Sequence, residues 1–339
     1  MTAELTGPRQ AILQALVEAA RHGAHLSGEA LSRSIGLSRT AVWKHIQELR
    51  ETGCDIEAQP HLGYRLREAE QVLLPETVAA FRPRQHMRLG EPLECSTSLP
   101  STNDRAKELA AAGATHGTSV LAWRQTRGRG RLGREWSSPA GGLWLSLILR
   151  PPLSPAEVPR LTLVSAVAVA EAVEQATGLR PSIKWPNDLL LDGRKVCGIL
   201  TELSAEADRV AYVVVGIGLN ANLGAGQLPA QAATPATSLQ LALGRKVPLP
   251  SLAATVLDRL GEWYSRFLAE GFDPVRSRWV ERSATLGRFV TASLPGGAIS
   301  GTAVDLAEDG ALVVRLADGT RRAVLAGDVT LHSAEAKPK

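Results

Sequence analysis

GRGRLGREW, residues 128–136, is the stretch that decides how the central part of this chain folds. Its three glycines, Gly128, Gly130 and Gly133, satisfy the G-x-G-x-x-G pattern of dinucleotide-binding proteins. The pattern has that meaning only where a strand leads into a helix, and the residues that follow, SSPAGG (137–142), cannot begin a long one. The stretch is therefore predicted to be a loop between two strand-like segments, and a doubly wound dinucleotide fold is not expected.

The arginines of this loop suggest what it binds. No acidic residue occurs from Arg124 to Arg134, so the positive charges should repel one another and keep the empty loop mobile. Glycine lets backbone N–H groups approach a phosphate closely, and arginine offers it a planar set of donors. We interpret the loop as a lid that orders over a phosphorylated ligand. A nucleic-acid-binding RGG-like segment and a solvated basic loop are the alternatives.

Length, charge and cysteine content bound the class of protein. The 339 residues suggest roughly two or three domains. A net charge of +4 is too small for a chain coated in nucleic acid, but it permits one local basic surface. Cys54, Cys95 and Cys197 are widely spaced and odd in number, so neither disulfides nor structural zinc are expected. Without a signal peptide or a membrane-length apolar run, the chain is predicted to be cytoplasmic, with no membrane contact.

Residues 1–67 are predicted to form a winged helix-turn-helix DNA-binding domain. Pro8 begins a first helix, Ser27 and Ser38 cap a second and a third, and two short strands follow. The third helix has Val42, Ile46 and Leu49 on one face, at the spacing of a buried stripe. Its start should enter the major groove, where the candidate DNA contacts are Arg39, Thr40 and Lys44; Trp43 faces either the core or the groove. A three-helix module that binds protein is the alternative.

The rest of the chain predicts two further domains, which makes the fold class α+β multidomain. Residues 70–282 mix long helices with strands and predict a central α+β domain with a mixed or antiparallel sheet. Residues 285–332 hold short strands punctuated by Asp-Gly turns and predict a small SH3-like β-barrel.

Four clusters in the central segment accompany the arginine loop: STND (101–104), KWPND (184–188), KVCGIL (195–200) and GIGLN (216–220). Hydroxyl and amide groups at a helix start can bind a neutral polar ligand, although plain helix capping explains STND equally well. Glycine within a strand, as at Gly198, leaves room for a ligand or for close backbone approach. GIGLN is interpreted as a strand end with glycines around a deep turn. Each cluster alone is ambiguous, and together they predict one site.

In order and spacing these motifs resemble those of the biotin–protein ligases, and the resemblance covers the whole chain. STND, QTRGRGRLGREW from residue 125, KWPND, KVCGILTE and GIGLN carry it. The helix-turn-helix ahead of them resembles the bifunctional form, a biotin ligase that is also the biotin operon repressor. Lipoate ligases are similar in fold but lack this arginine loop.

The resemblance implies an ATP-dependent activity. Such enzymes join biotin to ATP as biotinoyl-AMP with release of pyrophosphate, and then transfer the acyl group to a lysine of the biotin carboxyl carrier protein domain of acetyl-CoA carboxylase. Neither step needs a covalent enzyme nucleophile, so the protein must gather and stabilise negative charge. Implied partners are ATP, Mg²⁺, biotin, the carrier domain and operator DNA, with a homodimer expected when biotinoyl-AMP is bound.

The resemblance also implies roles for individual residues. Lys195 should bridge the biotin carboxylate and the α-phosphate, with Lys184 as a second positive charge, and Trp136 should anchor the closed lid by apolar packing. The expected catalytic residues are Lys195, Arg131, Lys184, Asn187 and Asp188, with any Mg²⁺ near Asp188 and no structural metal site. The expected biotin-binding residues are Ser101, Thr102, Asn103, Gln125, Gly128, Arg129, Arg131, Lys195 and Gly198. The expected adenylate-binding residues are Arg129, Arg131, Arg134, Trp136, Asn187, Lys195 and Asn220.

The chain departs from the family's pattern at two places, and three other functions remain as alternatives. Cys197 stands where glycine is common in the family, which could tighten the biotin pocket. The loop 222–236 has no aromatic residue to stack on adenine, although residues 237–239 could fold over the nucleotide. The rivals are a biotin-sensing transcription factor without catalysis, a ligase without DNA binding and a lipoate ligase. The operator, the affinities and the strength of dimerisation do not follow from the sequence.

Overall fold

The fold is described from a computed structural model that covers most of the chain. The described residues are 8–51, 54–79, 81–82, 89–206, 209–229, 234–294 and 297–332. Within them we find no helix that combines the length and the apolar character needed to span a membrane.

Three helices and a hairpin make up the N-terminal unit. The helices are α1 (Pro8–Arg21), α2 (Gly28–Ile35) and α3 (Arg39–Glu51), and β1 (Ile56–Gln59) pairs antiparallel with β2 (Gly63–Leu66). Their order confirms a helix-turn-helix domain followed by a hairpin.

Capping and a left-handed turn set the helix boundaries of this unit. The Ser27 hydroxyl accepts a hydrogen bond from the Ala30 amide at 3.0 Å, as expected of an N-cap. Gly36 ends α2 with φ +74°, a conformation that glycine adopts without steric cost. Val42, Ile46 and Leu49 are fully buried, so the predicted stripe of α3 faces the core of the unit.

A seven-stranded mixed sheet organises the central unit. Its strand order is β3-β4-β5-β9-β8-β7-β6; β3 and β4 run parallel, and every other neighbouring pair is antiparallel. The strands are β3 (Leu93–Ser96), β4 (Ser119–Ala122), β5 (Leu143–Leu149), β6 (Ser182–Lys184), β7 (Asp188–Leu191), β8 (Arg194–Glu206) and β9 (Arg209–Leu219).

Helices cover both faces of this sheet. On one face α5 (Thr102–Ala111) packs Ala106 and Ala110 against a small apolar cluster, and on the other the long α6 (Pro159–Thr177) packs with α8 (Leu249–Glu270). Because α6 lies between the sheet and α8, it is apolar on most of its surface. The shorter helices are α4 (Pro75–Ala79), α7 (Leu239–Leu243) and α9 (Asp273–Glu281).

The C-terminal unit is a five-stranded antiparallel sheet of order β13-β12-β11-β10-β14. Within the described residues, β13 does not pair with β14, so closure into an SH3-like barrel stays a prediction. Several of its apolar side chains, among them Val290 and Leu312, belong to the same buried cluster as the central unit. The strands are β10 (Phe289–Leu294), β11 (Gly297–Leu306), β12 (Leu312–Arg315), β13 (Arg321–Val324) and β14 (Asp328–Leu331).

The connection between the first two units is packed on both sides. Val72 and Leu74 lie in the apolar core of the N-terminal unit, whereas Leu73 between them lies in the core of the central unit. The buried side chain of Asn222 donates a hydrogen bond to Gln71 at 2.6 Å. The N-terminal unit is therefore joined to the central unit by a short ordered segment.

Candidate active site

A cavity of about 1400 Å³ lies beside β7, β8 and β9, between the arginine loop and β14. It collects the separate motifs of the sequence in one place. Gly128 is the one expected central-segment site residue that does not line it. The expected residues that do are Ser101, Thr102, Asn103, Gln125, Arg129, Arg131, Arg134, Trp136, Lys184, Asn187, Asp188, Lys195, Gly198 and Asn220.

Lys195, near the start of β8, presents its ammonium group to this cavity. Its Nζ lies 2.6 Å from Asp188 Oδ1 and 5.0 Å from the centroid of the Trp136 ring, a cation–π distance. The backbone of Lys195 pairs with Pro235 and Thr237, which fixes the residue on both sides. A positive charge is thus held between a carboxylate and an aromatic face while the side chain keeps partial access to solvent.

Two glycines make room for the indole of Trp136. A Cβ on Gly218 would lie 2.5 Å from Trp136 Nε1, and one on Gly198 would lie 2.9 Å from Trp136 Cζ3. A Cβ atom essentially never approaches another heavy atom this closely, so the loop can rest on the sheet only because both strands lack side chains there. The role of Trp136 as an anchor of the closed lid stays a prediction.

GIGLN lies at a strand end, as predicted, but its glycines do not surround a turn, because Gly216 and Gly218 lie inside β9, which ends at Leu219. Their pairing with β5 and β8 is regular. Gly216 serves a purpose similar to that of Gly218: a Cβ there would lie 2.1 Å from Asn103 Oδ1. The glycines of this motif therefore admit neighbouring side chains, and the chain leaves the sheet only at Asn220.

The arginines of the loop are paired with carboxylates that the loop itself does not contain. Arg131 donates to Asn187 Oδ1 at 3.2 Å and to the Gly327 carbonyl at 3.0 Å, and it lies 3.5 Å from Asp328. Arg134 also pairs with Asp328. Burial lowers the pKa of Arg131, and Asp328 opposes that shift. The predicted repulsion among the arginines considered only the charges of the loop itself. The carboxylate of Asp328 in β14 neutralises part of that positive charge.

Arg129 is held on the other side of the loop. It forms ion pairs with Asp104 at the start of α5 and, at 3.5 Å, with Glu202 of β8. The lid is thus tied at one end to α5 and β8 and at the other to β14.

Lys184 is the second lysine in the cavity. Its Nζ donates to Thr234 Oγ1 at 3.0 Å. Burial lowers its pKa, the charge of Asp188 raises it, and the charge of Lys195 lowers it further. An anion bound beside Lys184 and Lys195 would stabilise both charges.

Polar side chains at the start of α5 form a connected hydrogen-bond network. Gln125 Oε1 accepts from the Thr102 amide at 2.7 Å and from its hydroxyl at 3.0 Å, and Gln125 Nε2 donates to Ser138 Oγ at 2.8 Å. Ser101 caps the helix and lines the cavity at the same time, so the capping and ligand-binding interpretations of STND are compatible.

The far side of the cavity is formed by the segment after β9. The buried Asn220 side chain donates to the Thr237 carbonyl at 3.0 Å, which folds residues 234–239 back toward β8. Part of the loop 222–236, which was considered for adenine stacking, is residues 230–233, and these lie outside the described part of the chain.

Two carboxylates that contact the loop were given no role from the sequence. Asp328 lies in the C-terminal unit, outside every quoted motif, and reaches the lid arginines across almost two hundred positions of sequence. Glu202 ends the motif KVCGILTE, and it receives hydrogen bonds from Asn103 and Lys107. The motif indicates nothing of these partners, because they belong to another segment of the chain.

Among the described residues no cluster of three or more His, Cys, Asp or Glu side chains is placed to hold a metal ion.

The four DNA-binding candidates all lie on the exposed side of α3: Arg39, Thr40, Trp43 and Lys44. Trp43 is 56 % exposed, which settles its direction: it faces away from the core.

Models of three known families match the chain, one on each unit. The Biotin/lipoate A/B protein ligase family matches residues 95–220, an HTH domain matches 9–65, and the biotin protein ligase C-terminal domain matches 285–331. The bifunctional ligase/repressor BirA of Bacillus subtilis is 38 % identical over 307 residues, which are 90 % of this chain and 94 % of that protein. This chain belongs to the biotin–protein ligase family.

Other relatives agree. This biotin–protein ligase is 31 % identical over 325 residues to the bifunctional ligase/repressor BirA of Escherichia coli, with 94 % of this chain and 97 % of that one covered. A solved biotin protein ligase from Aquifex aeolicus, in complex with biotin and ATP, superposes with a TM-score of 0.63 and 32 % identity. It covers 72 % of the biotin–protein ligase described here and is itself matched over its full length.

Proposed function

We propose that this chain activates biotin with ATP as biotinoyl-AMP, transfers the biotinoyl group to one lysine of a biotin carboxyl carrier protein, and represses biotin synthesis genes when the adenylate is bound. The observation that carries the proposal is the convergence of Lys195, Lys184 and the lid arginines on one cavity. Such a concentration of positive charge suits a reaction between a carboxylate and a triphosphate.

The first step joins two anions. A biotin carboxylate oxygen attacks the α-phosphorus, and the bond to the pyrophosphate oxygen breaks. Lys195 is proposed to contact both the carboxylate and the α-phosphate, which is supported by its position in the cavity lining beside Gly198. Arg131 and Arg134 serve the phosphates, and their present partner, Asp328, marks a position that suits a phosphate oxygen equally well.

In the second step the carrier lysine amine attacks the acyl carbon and AMP leaves. The enzyme needs only to hold the mixed anhydride, exclude water and admit the amine. The lid supplies that shielding, with Trp136 seated over the two glycines and Arg129 and Arg131 fixing its ends. Ser101, Thr102, Asn103 and Gln125 form the wall proposed for the ureido ring, together with the Gly198 backbone. Gly128 lies outside the cavity lining and is proposed to act through the shape of the loop, because a Cβ there would lie 2.3 Å from the Trp136 carbonyl oxygen. Asn187, Asp188 and Asn220 complete the adenylate side.

Mg²⁺ is proposed to enter with the nucleotide. Asp188 offers one carboxylate at the cavity, and Mg²⁺ commonly takes one or two carboxylates together with substrate phosphates. The donor set fits such an ion better than a permanent metal centre, and the ion would neutralise phosphate charge during adenylation.

The repressor role is proposed for the N-terminal unit, residues 1–67, as a winged helix with Arg39, Thr40, Trp43 and Lys44 toward operator DNA. The catalytic domain is proposed to span 70–282 and the C-terminal domain, as an SH3-like barrel, 285–332. A dimer favoured by the adenylate would place two such helices on a palindrome. The cytoplasm is the proposed location.

One experiment tests the core of the proposal. The protein is incubated with ATP, Mg²⁺ and labelled biotin, and a tightly held acyl-adenylate is sought after rapid gel filtration. Addition of a carrier domain should move the label to protein, and the same domain with its target lysine replaced by Arg should stay unlabelled. Label retained without ATP would indicate a biotin sensor, and preference for lipoate would indicate a lipoate ligase.

A further inference from the structure

Glu202 stands at the junction of the lid, α5 and β8, although it does not line the cavity. Its Oε2 accepts a hydrogen bond from Asn103 at 2.7 Å, and its Oε1 accepts one from Lys107 at 2.5 Å. Arg129 lies 3.5 Å from both oxygens. One carboxylate therefore contacts two residues of α5 and one residue of the lid.

The contact with Asn103 continues into the wall of the cavity. Asn103 is buried, and its Oδ1 accepts from Ser146 Oγ at 2.6 Å. The Ser146 hydroxyl oxygen lies 2.8 Å from Thr102 Oγ1, whose proton can face it, and the Thr102 backbone amide donates to Gln125 Oε1 at 2.7 Å. A series of hydrogen bonds therefore runs from Glu202 through Asn103 to Thr102 and Gln125, three of the residues proposed for the ureido ring.

Glu202 is ionised in this setting. Burial alone would raise its pKa, but the hydrogen bonds from Lys107 and Asn103 and the charges of Lys107 and Arg129 bring the pKa below its ordinary value. A carboxylate can only accept, so it requires Asn103 to present its NH₂ group here and its carbonyl oxygen to Ser146. The charge thus fixes the direction of donors along the series.

We propose that Glu202 is a positioning residue that touches neither substrate. It orients Asn103, Thr102 and Gln125 for biotin. Through Arg129 it also holds the N-terminal end of the lid, which we call the lid root. This rests on the proposed ligase function. It predicts a selective effect on biotin, because the ATP side of the cavity is fixed by other contacts, those of Arg131, Arg134 and Lys184.

Glu202→Gln is the direct test, since it keeps the size of the side chain and removes the charge. A glutamine NH₂ must face a donor of Asn103, Lys107 or Arg129, which misaligns at least one contact. The KM for biotin in pyrophosphate exchange should rise about tenfold, as expected for a misaligned hydrogen bond to a charged group, while the KM for ATP changes less than about twofold.

A second readout does not depend on catalysis. Trypsin cleavage after Arg129 and Arg131, measured without ligands, should be faster in Glu202→Gln because the lid root has lost a partner. Ser146→Ala interrupts the same series without touching the lid. It should raise the KM for biotin and leave the tryptic cleavage rate unchanged.

Glu94→Gln is the matched control. Glu94 pairs with Arg105 of α5 at 2.8 and 3.0 Å, away from the cavity, so it tests whether any loss of an α5 ion pair has the same effect. An unchanged KM for biotin in Glu202→Gln, an equal rise in both KM values, or the same biotin effect in Glu94→Gln would overturn the proposal. If the wild-type protein shows no biotin-dependent exchange, the ligase function fails, whereas the tryptic comparison still tests the lid contact.

Discussion

Asn222 and Gln71 join the side of the cavity that Asn220 lines to the segment that carries the N-terminal helix-turn-helix unit. Asn222 donates to Gln71 Oε1 at 2.6 Å and exchanges two hydrogen bonds of 2.8 Å with the backbone of Val247. Both side chains are buried, and Asn222 follows the proposed adenylate residue Asn220 by two positions. The same amide therefore supports the cavity, the start of α8 and the interdomain segment.

This contact predicts an unequal pair of stability effects. Asn222→Ala leaves the Gln71 acceptor and both Val247 backbone groups unpaired, and it should lower the free energy of unfolding by about 3 kcal/mol. Gln71→Ala removes only one hydrogen bond, so its cost should be about 1 kcal/mol. Urea denaturation followed by tryptophan fluorescence measures both values. An equal decrease in the free energy of unfolding in the two variants would contradict the role of Asn222 as the residue that links Gln71 to Val247.

Replacement of Lys195 by Ala should abolish adenylation. The variant removes the cation proposed to contact both reacting anions, and we expect a loss of more than about a hundredfold in biotin-dependent pyrophosphate exchange. Lys246→Ala is the control, because Lys246 pairs with Glu68 on the surface, away from the cavity. Exchange at the wild-type rate in Lys195→Ala would remove Lys195 from its assigned role.

Replacement of Arg131 by Ala should loosen the adenylate more than it slows its formation. Arg131 holds the lid to Asn187, Gly327 and Asp328, so the variant should release labelled biotinoyl-AMP faster by about tenfold in a chase with unlabelled substrate. Arg134→Ala is the comparison: its side chain is 65 % exposed and pairs only with Asp328 among the described residues, so the effect should be smaller. An unaltered release rate in Arg131→Ala would refute the lid interpretation.

Gly218→Ala should displace the indole of Trp136, since the new Cβ would lie 2.5 Å from Nε1. The lid could then no longer rest on β9, and adenylate synthesis and retention should both fall by at least about tenfold, as is typical of misplaced catalytic groups. Gly224→Ala is a suitable control, because the nearest atom to its Cβ would be Gln227 Oε1 at 3.8 Å. Wild-type retention in Gly218→Ala would show that the glycine is not required for the lid.

The pKa of Lys184 predicts how ATP binding depends on pH. Since burial lowers that pKa below 10.5, the folded enzyme loses this positive charge at a lower pH than a free lysine would. The KM for ATP should therefore rise on the alkaline side before pH 10.5 is reached. Lys184→Arg keeps its charge at high pH and should shift the rise upward. An alkaline limb that does not move in this variant would assign it to another group.

The sequence was sufficient for the elements whose signals are local. Pro159 and Gly178 delimit α6, the apolar run 143–149 is β5, and the Asp192-Gly193 turn joins β7 to β8, so each of these boundaries coincides with a local sequence signal. In contrast β14 and α9 were not anticipated, because segments of four and nine residues are too short to show a clear hydrophobic period.

The site was predictable as a set of motifs and not as a network. Lys195, Trp136 and Lys184 meet in one cavity as expected from motifs that share a chemical theme. The acidic partners of the arginines, Asp328 and Glu202, depend on tertiary contacts between distant segments. The error at GIGLN has a physical origin too: glycine within a strand and glycine at a turn look alike when the neighbouring indole is unknown.

The interleaved packing of residues 72–74 has a practical consequence for chimeric proteins. If the N-terminal unit were exchanged by recombination at residue 67, Val72 and Leu74 would be separated from the apolar core in which they are buried. The replacement unit should instead include its own residues up to the position of Leu74. With a compatible apolar residue at the position of Leu73, both apolar cores would be preserved. The junction of a chimeric protein with a different DNA-binding unit should therefore lie after residues 72–74 and not before them.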